Sequence, residues 1–222
     1  MFVHVEQRPR RQPPWATIAI IAICVAIFLW LAISPAEVRA QLLRHWGAVP
    51  AVLAMDSIPL AQRVLRLFTA LFMHADWLHL IGNLLFLMIF GLSAERALGS
   101  RLFLTLFLLG GALANLAGAV MLANASAPII GSSGAVSAIV GAYFALFPRA
   151  RLGLVLPLGL FLEFVRIPAA ALIGFWILLQ VLFTFAGPSF GAVVWWTHIA
   201  GFAVGILFAL FARPAIARRL RQ

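Results

Sequence analysis

The segment Trp15–Ile33 holds nineteen residues and no charge. At 1.5 Å per residue it makes a helix of about 28 Å, close to the thickness of a bilayer's hydrocarbon core. Five further apolar runs follow: Leu78 to about Ala94, Leu102 to Ala123, Ser132 to Phe147, Pro168 to Phe185, and Trp195 to about Ala212. Composition agrees: 64% of residues are hydrophobic, only 10% are charged, and the mean hydropathy is +1.09. Soluble domains are about 45–50% apolar, and a charged fraction this small cannot clothe a water-facing surface. The chain is therefore read as an all-α membrane protein of six transmembrane helices.

Most connections between these runs are short; the exception spans residues 34–77. It is too charged to cross a bilayer and too apolar for a free linker, so short amphipathic helices at the membrane interface are expected. All sixteen basic residues are arginine, and the formal net charge is +10. They cluster at the ends of apolar runs, which points to topology and anionic lipid headgroups rather than nucleic acid. With the N-terminus inside, all the arginines except Arg39, Arg44, Arg63 and Arg66 fall on the cytoplasmic side. The positive-inside rule thus places both termini in the cytoplasm. Residues 1–14 read as a cytoplasmic tail, 15–213 as one membrane domain and 214–222 as a basic cytoplasmic tail. No signal-peptide cleavage site stands out, so the first run is taken as a retained helix. A cell inner (plasma) membrane of prokaryotic type is expected.

Strongly polar groups at membrane depth are costly, and so they are functional candidates. Here they are His79 and Asn83 on the second run, Ser132 and Ser133 on the fourth, and His198 on the sixth. Each of these runs starts on the outer side, so the three bring their polar groups to a similar depth. His79 and Asn83, four apart, share one helix face. A serine needs a base to become a nucleophile, and histidine is the usual one. Acyl transfer also needs donors for a developing oxyanion, which Asn, His and backbone N–H groups at a helix start can supply. Ser133 lies in Gly131-Ser132-Ser133-Gly134, at such a start. Gly134, Ala138 and Gly141 on one run, and Gly201 and Gly205 on another, let two backbones approach closely. No Asp or Glu is expected at the same depth, so the reading is a Ser133–His198 dyad without a third acid. The lone Cys24 excludes an internal disulfide, and no Cys/His cluster has metal spacing, so neither metal nor other cofactor is expected.

These motifs together resemble the rhomboid proteases. Gly131–Gly134 resembles their GxSG nucleophile motif, and THIAGFAVG (197–205) their last-helix segment. HADWLHLIGN (74–83) resembles their HxxxN pattern, AERALGS (94–100) their ExxxGS stretch, and RLFTALFMH (66–74) the segment leading into that helix. The resemblance covers roughly residues 40–210 and implies a rhomboid-like bundle that cleaves single-pass membrane proteins. It implies Ser133 as nucleophile, His198 as general base, and His79 and Asn83 as oxyanion-hole partners of the Ser133 N–H. Gly131, Gly134 and Gly201 would be supporting positions, Arg66, Glu95, Gly99 and Ser100 structural ones, and His74 supporting. One departure is visible: many rhomboids carry an aromatic residue four positions after the nucleophile, against the base, and here that position is Ser137. The expected partners are transmembrane protein substrates and lipids; the oligomeric state is left open. A small transporter or channel, and a non-proteolytic binding member of the same superfamily, are the competing readings. The first would need acidic residues or paired half-helices at the midplane, and the second would lack Ser133 or His198.

Overall fold

The computed structural model describes residues 13–158, 161–186 and 195–220. Helix α1 (Trp15–Ile33) is followed by three short helices in the long connection: α2 (Ala36–Trp46), α3 (Pro50–Leu53) and α4 (Leu60–Thr69). Helices α5 (Trp77–Leu98) and α6 (Ser100–Met121) meet at Gly99, whose φ of +82° favours a residue without a Cβ. Each contains a π-bulge, at Leu87–Gly91 and Leu106–Gly110. Helix α7 (Ser133–Leu146) leads into strands β1 (Arg151–Leu158) and β2 (Phe161–Pro168). Helices α8 (Ala169–Ala186) and α9 (Trp195–Leu220) complete the chain.

Among the described residues, four helices are long and apolar enough to cross a bilayer: α1, α5, α6 and the Trp195–Ala217 part of α9. The expected fourth and fifth spans appear as shorter apolar helices, Ser133–Leu146 and Ala169–Leu179. With 14 residues, α7 is about 21 Å long, too short to cross the hydrocarbon core alone. Its residues Gly134 to Tyr143 are all buried. A helix apolar on every side belongs at the centre of a bundle, and α7 packs against α5, α6 and α9.

Three sequence expectations need correction. Residues 148–168 are no short connection, because β1 and β2 pair antiparallel, from Arg151 opposite Pro168 to Leu158 opposite Phe161. Leu152, Leu154, Leu156 and Leu158 recur at the strand period of two, a signal that uniform apolarity concealed. Helix α9 also runs past the expected boundary at Ala212 and carries Pro214 internally. Proline there removes one backbone hydrogen bond without ending the helix. The expected C-terminal tail is thus helical to Leu220. The third is a carboxylate, that of Asp76, which lines the candidate site. The expected N-terminal tail lies outside the described residues up to position 12, as does the outer loop over 187–194.

The long connection is braced within itself and tied to the bundle. The Arg66 guanidinium donates to the Arg44 carbonyl at 3.0 Å and the Thr69 hydroxyl to the Trp46 carbonyl at 2.6 Å. The Asn115 amide of α6 donates to the Leu67 carbonyl at 2.9 Å.

Glu95 holds the opposite end. α1 begins after Pro14, with no capping side chain of its own, so its first N–H groups need an acceptor. The Glu95 carboxylate accepts from the Ala16 and Thr17 N–H groups at 2.9 and 2.8 Å, and from the Thr17 hydroxyl at 2.6 Å. It also accepts from the Ser100 hydroxyl just beyond the Gly99 turn. This buried acid is thereby structural, binding α1, α5 and α6 at one point. Glu95→Ala leaves these donors unpaired and is expected to destabilise the fold by about 3 kcal/mol. The check is thermal unfolding in detergent, with Glu95→Gln expected to lose less.

Candidate active site

The loop before α7 is shaped from both sides. Ala48 and Ile129 exchange backbone hydrogen bonds at 3.1 and 2.9 Å, and the Gly131 N–H donates to the Ala70 carbonyl at 2.9 Å. Gly131 has φ +105°, and a Cβ there would run into the His79 imidazole. Only glycine lets the backbone lie against that ring. The next residue, Ser132, is fully buried, and its hydroxyl is 3.3 Å from His74 Nε2. Burial, with the neighbouring His79, pushes the His74 pKa down to about 4. His74 is therefore neutral at pH 7, and its ring can exchange a hydrogen bond with Ser132. The motif pattern alone gives no sign of this tie between His74 and Ser132.

His79 and Asn83 are placed by the first turns of α5. Asp76 caps that helix, its carboxylate accepting from the His79 N–H at 2.8 Å. The Asn83 amide donates to the His79 carbonyl at 2.9 Å, leaving its second N–H available. The rings of His74 and His79 meet edge to face at 5.2 Å.

The crossing of α7 and α9 sets the distance between the serine and histidine helices. A Cβ on Gly201 would strike the Gly134 carbonyl, one on Gly205 the Ala138 carbonyl, and one on Gly141 the Phe202 carbonyl. Gly134 is confined between Thr197 and Ala114, at 2.8 and 2.9 Å from where its Cβ would stand. Of the three supporting glycines read from the sequence, Gly201 meets backbone, whereas Gly131 and Gly134 make room for neighbouring side chains.

The result is a cavity of about 730 Å³. Ser133, His198, His79 and Asn83 all line it, with Asp76, Phe86, Trp176 and Thr197. Ser133 is half-buried at the start of α7, and His198 is buried in the first turn of α9. A carboxylate does reach this cavity, that of Asp76, but it is engaged as the α5 cap. It lies too early in the chain to be counted in the apolar run, which is why the sequence reading passed over it.

The departure at position 137 also has a structural account. Ser137 is fully buried and donates to the Ser133 carbonyl at 2.8 Å, so it offers no ring to the base. Two other aromatics do. Trp176 of α8 stacks on His198 with centroids 6.1 Å apart and planes at 28°. Trp195 meets it edge-on at 5.9 Å.

Two comparisons with known proteins bear on this arrangement. A family profile described as Rhomboid domain matches residues 61–215. Rhomboid-related protein 3 of Homo sapiens is 31% identical over 136 residues, which cover 60% of this chain and 32% of that protein. The match thus spans about a third of that relative's length.

The glycine crossing predicts a contrast between two substitutions. Gly205→Ala forces a methyl group onto the Ala138 carbonyl and is expected to cost about 2 kcal/mol or more. Gly174→Ala on α8 meets nothing within 4 Å and is expected to leave stability unchanged or slightly raised. Paired melting curves in one detergent decide it.

Proposed function

Because the chain belongs to the rhomboid family, we propose that it is an intramembrane serine endopeptidase that cleaves single-pass membrane proteins within or beside their spans. The observation that carries the reading is the cavity into which Ser133, His198, His79 and Asn83 converge from three helices. A serine, a histidine and oxyanion donors around one space are the set that acyl transfer requires.

In this reading His198 takes the proton of the Ser133 hydroxyl as its oxygen attacks the scissile carbonyl. The oxyanion is received by the Ser133 N–H at the start of α7, where the helix dipole favours negative charge. His79 and the free N–H of Asn83 add donors. Collapse of the tetrahedral intermediate expels the amine, which takes its proton from His198, and an acyl-enzyme remains. Water, activated by the same histidine, then releases the carboxylic acid product and restores the serine. The bundle keeps this chemistry out of lipid, since exposed backbone donors at membrane depth survive only inside a protein-lined space.

The same proposal includes the topology. Helices α1, α5, α6, α7, α8 and α9 form six membrane-embedded elements, with α2 to α4 lying at the interface. Both termini are cytoplasmic, by the arginine bias, and the cavity opens to the outer face of a plasma membrane. Residues 15–213 act as one membrane domain. Substrates enter from the bilayer, and neither metal nor cofactor takes part.

Purified protein in liposomes is expected to cleave a model single-span substrate. Ser133→Ala and His198→Ala are each expected to lower kcat by roughly 10³-fold or more, and Asn83→Ala by about 10²-fold. A fluorophosphonate is expected to label Ser133, as mapped by mass spectrometry. Cleavage that persists at the wild-type rate in both dyad variants would refute the assignment. Absence of labelling in folded protein would favour a non-proteolytic member of the family.

A further inference from the structure

The helix that carries the nucleophile provides no ring for the base, yet the base has to be aimed. The torsion about the Cβ–Cγ bond of a histidine is broad, so an unpacked imidazole swings freely. A proton transfer from Ser133 needs one ring nitrogen held toward its Oγ, and misplacement by about 1 Å can cost 10²-fold in rate. Position 137 offers only a hydroxyl, fully buried and donated to the Ser133 carbonyl of its own helix.

Trp176 comes from a different element. Its indole lies nearly parallel to the His198 ring, in the stacked range that aromatic pairs favour. On another side the same indole meets Phe86 of α5 at 6.1 Å and 39°. It is therefore held between α5 and α9, against the cavity that Ser133 also lines. Trp195, three residues before His198 on α9, closes the ring's edge.

We propose that Trp176 is the positioning residue for the catalytic base, supplying from α8 the aromatic face that Ser137 does not supply from α7. The inference rests on the protease reading above. It assigns Trp176 no contact with the reacting atoms; the ring acts by restricting His198 to the rotamer that faces Ser133. An aromatic replacement retains this restriction, and an aliphatic side chain of similar bulk does not.

The test compares wild type, Trp176→Phe and Trp176→Leu in two assays. One is the rate of Ser133 labelling by a small fluorophosphonate, and the other is kcat and KM on a single-span substrate. The leucine variant is expected to slow both labelling and kcat by about tenfold with little change in KM, and phenylalanine to stay within about threefold of wild type. Melting temperatures confirm that each variant is folded, and the phenylalanine variant keeps the comparison available if leucine does not fold. A ring that only fills space between α5 and α8 would alter KM or stability while leaving the small probe unaffected. Wild-type labelling by the leucine variant, or equal slowing by leucine and phenylalanine, overturns the proposal. Failure of wild type itself to label at Ser133 strikes instead at the protease reading.

Discussion

Backbone meets backbone where α7 crosses α9, and the remainder of the site is arranged around that crossing. In lipid, burying apolar surface gives two helices no preference for each other over acyl chains, so association depends on close packing and polar contacts. Gly134, Gly141, Gly201 and Gly205 provide the closeness, each leaving no room for a side chain. The consequence for chemistry is direct. Ser133 begins one of these helices and His198 lies in the first turn of the other, so the interhelical distance that the glycines fix also fixes the reach between the serine and the histidine. A single methyl group at the crossing changes packing and geometry together.

The same solvent imposes a second demand, that polar groups away from water find partners within the protein. The chain answers it differently at its two ends. At one end Glu95 gathers the starts of α1 and α6 around a single carboxylate. At the other, the long connection lends its backbone to the nucleophile loop, through Ala48 to Ile129 and Ala70 to Gly131. That connection resembles an insertion in the sequence, but in the structure it forms a wall of the loop. Its His74 then reaches Ser132, the residue next to the nucleophile. The stability of the fold and the placement of the serine thus draw on the same hydrogen bonds.

What could be read in the sequence follows from where each signal is written. The apolar runs, the glycine spacing and the polar residues at depth are local patterns, and Ser133, His198, His79 and Asn83 of the cavity lining are all among them. Gly131 was legible as part of a motif, although its collision with His79 was not. The β1–β2 pairing was written as leucines at alternate positions, yet in a chain this apolar an alternation with no polar face carries little contrast. Asp76 was obscured by position, one residue before α5 begins. Trp176 had no local signature at all, because a tryptophan in an apolar helix serves lipid contact as readily as internal packing. Only the approach of α8 to α9 distinguishes it.

That approach gives α8 an influence out of proportion to its burial. Ala169 and Ile173 are buried, while Phe175, Leu178 and Leu182 face outward. Helices with few buried contacts are the ones that open most easily, since local stability tracks local packing. Ser133 belongs to a helix buried throughout Gly134 to Tyr143, whereas the ring against His198 belongs to a helix with few buried residues among those described. A change in how α8 lies against α5, where Phe86 and Trp176 meet, would leave Ser133 in place and release His198 from its stacked neighbour. Ser133 and His198 are therefore held by packing of unequal extent, and the aromatic neighbour of His198 is the one that belongs to the more exposed helix.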